Sequence, residues 1–360
     1  MFRKWHALPL SAFLVLAGSL FAQRSFPSPF TQLHDVKFEI PEPRPDDAKI
    51  VVLDGRRFTR PASAAQVNSL AFSHDGKLLA AGKEYGRLVI WEVVKRKVVR
   101  IIDTGFGGVG LVAFSPNDQL IAAADEKGPS IKLWNIADGQ LVTTVDNTHP
   151  HLLQMVYARN LLIIYYGSID AFNTTTGKLE RSFANEGGPL LSTDGNTLVT
   201  VKGQEIALRN TENWAIERTL SKLTEFEWPV FWDTNQGVFL FKDHTDDHLF
   251  VPARTSDGQM LPDVKLANLP RSWLDAGDFA AIDPATRLVL GHSAGQLWAL
   301  DLKTGETCLS PQLFSDSGAL SPDGSLLAGA IEPATPTDDP KQAGVGLWRT
   351  ADLAKACQMK

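Results

Sequence analysis

The chain repeats a single pattern, in which an alternating apolar stretch runs into a turn of the Ser-Pro-Asp-Gly kind and a second apolar stretch follows. Clear copies lie at residues 67–81, 110–123 and 318–329, and weaker copies fill the interval between them. One apolar residue directly precedes the turn in each copy: Phe72, Phe114, Tyr157, Leu191, Trp232, Ile282 and Leu320. Their mean spacing is about 41 residues, typical of a unit that buries its faces only by stacking on neighbours.

A second set of residues keeps the same spacing and closes an alternating strand later in each copy: Trp91, Trp134, Phe172, Leu208, Phe250, Trp298 and Trp348. Period-two alternation places these side chains on one face of a sheet. Turns containing glycine follow, at Gly139, Gly177 and Gly305, where a positive φ is needed. Each copy therefore predicts a small antiparallel sheet.

These observations predict an all-β fold in which residues 49–360 form one domain, a seven-bladed β-propeller of four-stranded blades. Residues 49–55 alternate like an outer strand and precede the first full copy. We expect them to complete the last blade, so that an N-terminal strand closes the ring. Closure of this kind removes an exposed sheet edge.

The repeated residues resemble the WD-repeat family of β-propellers, from residue 49 to the C-terminus. The family's Trp-Asp dipeptide has counterparts in Trp91-Glu92, Trp134-Asn135, Phe172-Asn173 and Trp348-Arg349. The chain departs from the family pattern because the Gly-His pair is missing and Tyr85 stands where the family has a turn Asp. The side-chain tetrad that locks many family members is therefore not available here. The resemblance implies a rigid platform for protein–protein contact with no chemistry of its own.

The N-terminal segment has the pattern of a signal peptide. Arg3 and Lys4 precede an apolar run over residues 7–21, which is short for a membrane span, and small residues precede a cleavage site after Ala22. A buried apolar helix or an uncleaved anchor is the alternative interpretation. Residues 23–48 contain five prolines and predict an extended linker. We therefore expect a periplasmic or secreted protein with no stable membrane insertion after cleavage.

The charge and the composition of the chain limit the classes of molecule that it could bind. Apolar residues make up 44% of the chain and charged residues 21%, and the formal net charge is −6. This composition is ordinary for a folded globular protein. The negative charge disfavours nucleic acid and anionic membrane surfaces. We expect a protein or peptide partner, with a glycan as an alternative.

Aromatic side chains and arginines accumulate in loops that a propeller would gather at one end. The predicted binding residues are Tyr85, Phe106, His149, Trp228, Arg271, Trp273 and Phe314. Aromatic residues and arginine are enriched in interface hot spots. The alternative interpretation is that each ring covers the core of its own blade. As a set they predict an aromatic-rimmed loop face that binds a partner.

A propeller enzyme of the periplasm is the rival hypothesis, either lactonase-like or resembling a quinone-dependent dehydrogenase. Such enzymes hold a metal or cofactor on the central axis, near the starts of the inner strands. Those starts are mostly apolar or small in this sequence, but Glu186, Glu227 and Asp278 lie close enough to keep the alternative open. We expect no cofactor, no metal site and no catalytic residue.

Two motifs could carry chemistry, but each has a simpler interpretation. Residues 291–295 match the G-x-S-x-G pattern of hydrolases around Ser293, yet no histidine follows them and their register indicates a turn between strands. Residues 244–248 contain two histidines and two aspartates that could bind a metal ion such as zinc or calcium. They lie between predicted strands, however, and lack a third metal ligand at a recognised spacing. A solvated polar loop is the alternative there.

Cys308 and Cys357 are the two cysteines of the chain. Export favours a disulfide between them. Matching positions on the outer strands of adjacent blades are too far apart for one, unless the C-terminal tail is displaced. The disulfide is left open at this point.

Overall fold

The computed structural model describes residues 37–38, 49–53, 56–60, 67–192, 195–203, 205–221, 226–233, 238–243, 249–254, 264–265, 278–283, 288–293, 296–301, 307–309, 314–331 and 344–349. The regular secondary structure within these residues is β-strand throughout. The predicted signal peptide lies outside them, as do most of the predicted linker and the C-terminal tail. Among the described residues, no helix is long and apolar enough to cross a membrane.

The strands follow one another in groups along the chain. Those before the first full repeat are β1 (Lys37–Phe38), β2 (Lys49–Leu53) and β3 (Arg56–Arg60). The next two groups are β4 (Val67–Phe72), β5 (Leu78–Lys83), β6 (Arg87–Glu92), β7 (Lys97–Asp103), β8 (Val109–Phe114), β9 (Leu120–Asp125), β10 (Ile131–Asn135) and β11 (Leu141–Val145). They are followed by β12 (Gln154–Ala158), β13 (Leu161–Tyr165), β14 (Ile169–Asn173), β15 (Leu179–Phe183), β16 (Gly187–Leu191), β17 (Thr197–Lys202), β18 (Glu205–Asn210) and β19 (Ile216–Ser221).

The C-terminal part continues the same pattern. Its strands are β20 (Phe226–Asp233), β21 (Val238–Asp243), β22 (Leu249–Arg254), β23 (Val264–Lys265), β24 (Asp278–Asp283), β25 (Leu288–Ser293), β26 (Gln296–Asp301), β27 (Thr307–Leu309), β28 (Phe314–Leu320), β29 (Leu326–Ile331) and β30 (Gly344–Arg349). Consecutive strands pair into antiparallel four-stranded sheets, such as β4–β7, β8–β11 and β12–β15. The predicted all-β class with four-stranded antiparallel sheets is confirmed.

A serine builds the turn between the first two strands of a repeat. In the β4–β5 turn, the Ser73 hydroxyl accepts the Leu78 N–H at 2.8 Å and donates to Asp75 Oδ1 at 2.9 Å. The same hydroxyl–amide bond recurs at Ser115, Ser192 and Ser321. This bond satisfies a backbone donor that a tight turn would leave unpaired. The recurring Ser-Pro-Asp-Gly sequence is thus a local turn device.

Apolar side chains of adjacent sheets form the core. Trp91 on β6 is 1% exposed and belongs to a cluster that includes Val345 and Leu347 on β30. Trp134 lies in a cluster shared by the β4–β7 and β8–β11 sheets. Phe172 lies in one shared by β8–β11 and β12–β15. The sheets joined by these clusters therefore bury their facing sides against one another, and full burial of a side chain of this size stabilises the fold by about 3 kcal/mol.

The register corrects part of the second residue set. Trp91, Trp134, Phe172 and Trp348 all pair with the second strand at the equivalent position, as predicted. In β18, Arg209 takes this position opposite Leu198, so the prediction of Leu208 was wrong by one residue. In β22 and β26 the equivalent positions are Ala253 and Leu300, and the predictions of Phe250 and Trp298 were wrong. In these three strands the equivalent position does not hold the residue that the sequence pattern suggests, so the pattern pointed to another apolar residue of the same strand.

The N-terminal pairing also differs from the prediction. Residues 49–55 were expected at the outer edge of the last sheet, but β2 pairs with β3 in a two-stranded sheet. Lys37–Phe38, in the predicted linker, lies beside β30 instead. The reason is visible at Leu53↔Arg56, because Asp54-Gly55 between them is a dipeptide favoured in two-residue hairpins.

A candidate ligand-binding loop face

Loops from neighbouring repeats meet at one end of the sheets. The Tyr85 N–H, in the β5–β6 turn, donates to the Gly107 carbonyl of the β7–β8 connection at 3.1 Å. In the next repeat, Asn147 Nδ2 of the β11–β12 connection donates to the Pro129 carbonyl at 2.8 Å. The Asn185 N–H donates to Ser168 Oγ at 3.3 Å further along. We call this end the loop face: the turns between second and third strands and the connections between sheets, over residues 84–86, 104–108, 126–130, 146–153, 166–168 and 184–186.

Three side chains form a compact polar group on this face, which we call the Asp170 cluster: His149, Tyr166 and Asp170. The His149 and Tyr166 rings are stacked, with centroids 3.7 Å apart and planes 9° from parallel. The Tyr166 hydroxyl donates to Asp170 Oδ2 at 3.1 Å. His149 Nε2 lies 3.6 Å from the same oxygen. The cluster therefore places two aromatic rings beside one carboxylate.

Asp170 is buried, and its carboxylate is only half satisfied. The side chain is 5% exposed, whereas that of His149 is 39% exposed. Within the described part of the chain, Asp170 Oδ1 has no hydrogen-bond partner. A buried acceptor without a partner costs about 1–3 kcal/mol, and more if it is charged. Such an atom calls for a specific explanation.

Local structure positions the three residues. Asp170 is the second residue of β14, in an otherwise apolar run from Ile169 to Phe172. Tyr166 is held in the β13–β14 turn, where its N–H donates to the Ser168 carbonyl at 3.1 Å. Asn147 holds the His149 backbone from both sides, since its Nδ2 donates to the His149 carbonyl and its Oδ1 accepts the His149 N–H. The loop is therefore braced before any ligand arrives.

Burial raises the pKa of the Tyr166 phenol above its usual value, and the adjacent Asp170 carboxylate raises it further. A raised folded-state pKa means that the stability from neutral Tyr166 is fully present below the unfolded pKa and is lost as pH rises through the folded one. We expect Asp170→Asn to lower the pKa of Tyr166 towards its ordinary value, since the charge is gone and only burial remains. Spectrophotometric titration of the tyrosinate band, with Tyr166→Phe to identify the signal, measures this. An unchanged pKa in Asp170→Asn would contradict the cluster geometry.

The residues predicted to form the aromatic-rimmed loop face lie in different parts of the structure. Tyr85 lies on the loop face with a positive φ of 63°. Phe106 is 8% exposed and packs edge-on against Trp134, so its ring belongs to the core and its prediction as a rim residue is corrected. The Lys132 ammonium lies 4.8 Å from the Phe106 ring centroid, which adds to that packing.

The other predicted residues lie elsewhere or outside the described residues. Trp228 falls inside β20 and Phe314 begins β28, whereas both were expected in loops. Arg271 and Trp273 lie outside the described residues. Sequence reasoning did not select Asp170, although one signal could have found it: a carboxylate inside an apolar strand.

Glu186, a residue that kept the enzyme alternative open, has a structural partner. Its two carboxylate oxygens lie 3.0 and 3.1 Å from Arg209 Nη2. The Arg209 Nε donates to Thr200 Oγ1 at 3.1 Å, and the guanidinium lies 4.8 Å from the Phe183 ring centroid. Glu186 therefore neutralises an arginine that stands where other repeats have an aromatic anchor.

The remaining chemical motifs are placed as follows. Ser293 ends β25 and pairs with Gln296 at the start of β26, in keeping with a strand-to-strand turn. Cys308 lies on β27. Cys357 and the segment 244–248 lie outside the described residues, so the disulfide and the polar-loop interpretation stay predictions. Within the described residues, no three His, Cys, Asp or Glu side chains gather as a metal site.

Comparison with known proteins agrees with the repeat. Residues 56–92 match the family described as WD domain, G-beta repeat. A stretch of 86 residues is 33% identical to the small ribosomal subunit protein RACK1 of Medicago sativa. This match covers 24% of the chain and 26% of that relative, so the two share about a quarter of their lengths.

Proposed function

We propose that this chain, a WD-repeat β-propeller, is a non-catalytic scaffold that binds a protein partner through its loop face. WD-repeat proteins bind other proteins in general, which supports the class of function. The observation that carries the proposal is the Asp170 cluster, where two partly exposed rings contact a buried, half-satisfied carboxylate. A buried carboxylate beside two partly exposed rings can recognise a ligand by charge and by aromatic contact.

We further propose that the seven four-stranded sheets of the described residues form a closed ring over residues 67–349, with Lys37–Phe38 as the outer strand of the last sheet. Two contacts support it. The first strands of successive sheets touch, as β4 touches β8, and β28 of the last sheet touches β4 of the first. The cluster around Trp91 also joins those two sheets. A ring of this kind would hold the loop face rigid, so that little conformational entropy is lost when a partner binds.

Export is part of the same proposal and rests on the sequence of residues 1–22 alone. An exported scaffold would meet its partner in the periplasm or outside the cell. Edman sequencing of the protein purified from its source cells tests this: a mature N-terminus near Gln23 is expected. Recovery of the chain with Met1 and its apolar segment intact would contradict cleavage.

Affinity capture tests the binding role. The purified full-length protein is immobilised and an extract of the source cells is passed over it, beside a Tyr85→Asn/Tyr166→Ala variant. Asn is chosen because it tolerates the positive φ of Tyr85. We expect the unchanged chain to retain a defined protein, and the variant to retain about tenfold less of it.

The matched control is Glu212→Ala, an exposed change in the turn between β18 and β19 at the opposite end of the sheet. It should leave retention unchanged. If the loop variant retains the same protein as strongly as the control does, the loop face is not the binding surface. Ala variants of Arg271 and Trp273 test whether the face extends to the remaining predicted residues. A retained glycan would place the ligand in another class.

A further inference from the structure

The Asp170 cluster has the chemistry of a receptor for a positive charge. Asp170 is a carboxylate inside a strand, 4% exposed, and burying an unpaired carboxylate is strongly unfavourable. In the described residues, its ion-pair partner is His149 Nε2, at 3.6 Å and beyond hydrogen-bond distance. No lysine or arginine in that part of the chain neutralises it.

Glu186, by contrast, is a buried carboxylate whose charge is neutralised by a cation of the same chain. Both Glu186 carboxylate oxygens accept from Nη2 of Arg209, whose guanidinium also lies over the Phe183 ring. Asp170 has the aromatic rings and the burial but not the cation. The missing element at Asp170 is thus the group that Arg209 supplies at Glu186.

The free atom and the rings define where that group would lie. The Tyr166 hydroxyl occupies Oδ2, so Oδ1 is the acceptor that remains. The stacked His149 and Tyr166 rings are partly exposed, and both direct a polar atom at Oδ2, the Tyr166 hydroxyl from 3.1 Å and His149 Nε2 from 3.6 Å. A ligand cation at Oδ1 would meet a buried negative charge beside two partly exposed rings.

We propose that the Asp170 cluster binds a lysine or arginine side chain of the partner protein, with Asp170 Oδ1 accepting an N–H from it. This inference rests on the proposed scaffold function and names the chemistry that its loop face recognises. Because Oδ1 is buried in this state, entry of the cation requires a local displacement at the loop face, and we assign that displacement to the partly exposed His149 side chain. His149 lies on a connection between sheets, where such a displacement leaves the strands in place.

Fluorine NMR tests the site with simple probes. The chain has four tyrosines, so labelling with 3-fluorotyrosine yields few signals, and Tyr166→Phe assigns the one that matters. The probes are the Nα-acetyl methylamides of lysine and arginine, with the glutamine derivative as the neutral control and butylammonium chloride as a free amine. We expect a saturable shift of the Tyr166 signal with the lysine or arginine probe, at constant ionic strength and up to about 100 mM. Tyr85 and Tyr157 should not follow.

Two variants separate a cation site from a general effect of salt. Asp170→Asn should weaken the probe by about tenfold or more. His149→Ala should tighten probe binding severalfold, since it removes the imidazole that lies 3.6 Å from the carboxylate and opens the cluster. This variant keeps the test valid if Asp170→Asn does not fold. Equal shifts with the glutamine probe, or no shift with any cation, overturn the proposal. A shift with butylammonium but not with the amino-acid probes would assign the site to a free amine and overturn the side-chain assignment.

The two proposals fail in different ways. Without a cation-induced shift, but with partner capture still lost in Tyr85→Asn/Tyr166→Ala, the scaffold stands and the cation site is wrong. With capture insensitive to that loop variant, the scaffold proposal itself fails, whatever the titration shows. An acetylated or citrulline-containing form of the captured partner should compete about tenfold less well if the cation site is correct.

Discussion

Gly86→Ala is expected to lower the free energy of unfolding by about 4 kcal/mol, the largest effect of any single change considered for this protein. Gly86 has a φ of 68°, and a Cβ there would lie 2.2 Å from the Phe106 carbonyl oxygen. That contact is with backbone, so no side chain can rotate away. The Gly86 carbonyl also accepts the Thr104 N–H and hydroxyl at 2.9 and 2.7 Å. Alanine therefore forces apart two loops that are bonded to each other.

Urea denaturation followed by tryptophan fluorescence measures the change. Two glycines serve as controls. Gly203 has a φ of 60° and no heavy atom within 4 Å of an added Cβ, so Gly203→Ala isolates the backbone strain of about 1 kcal/mol. Gly107 has neither restriction, and Gly107→Ala should leave stability nearly unchanged. If Gly86→Ala cost no more than Gly203→Ala, the close packing of the two loops would be contradicted.

Glu186→Gln is expected to destabilise the fold by about 3 kcal/mol. The side chains of Arg209 and Glu186 are 12% and 8% exposed, so removing the carboxylate charge leaves a guanidinium buried without its counter-ion. The hydrogen bond from Arg209 to Thr200 remains, but it carries no compensating charge. The same denaturation measurement gives the change in unfolding free energy.

The double variant Glu186→Leu/Arg209→Phe, which replaces the whole ion pair by apolar side chains, is the informative comparison. Arg209 occupies the position of Trp91, Trp134 and Phe172 in other repeats, and replacing a buried ion pair by apolar groups of similar volume is often neutral. We expect the double variant to recover most of the stability lost by Glu186→Gln alone. A double variant that is less stable than the single one would show that Arg209 stabilises the fold by contacts other than the ion pair.

The fold class was predictable from the sequence because it depends on local, periodic features. Alternation with a period of two marks strands, and the Ser-Pro-Asp-Gly turns mark where they reverse, so four-stranded sheets follow without any long-range information. The family resemblance rested on the same kind of local pattern, and residues 56–92 match the WD-repeat family. The site was less predictable, since His149 and Tyr85 were selected for the loop face but Phe106 turned out to be a core ring.

The sequence by itself determined the repeat, its length, the strand alternation and the serine turns, because each depends on residues only a few positions apart. The tertiary structure decided what depends on distant residues. It placed Lys37–Phe38 beside β30, put Arg209 at the position where Leu208 was expected, and buried Asp170 beside His149 and Tyr166. Strand pairing, register and the burial of a charge depend on which surfaces come into contact when the sheets stack. Those surfaces are far apart in the sequence, so no local pattern predicts them.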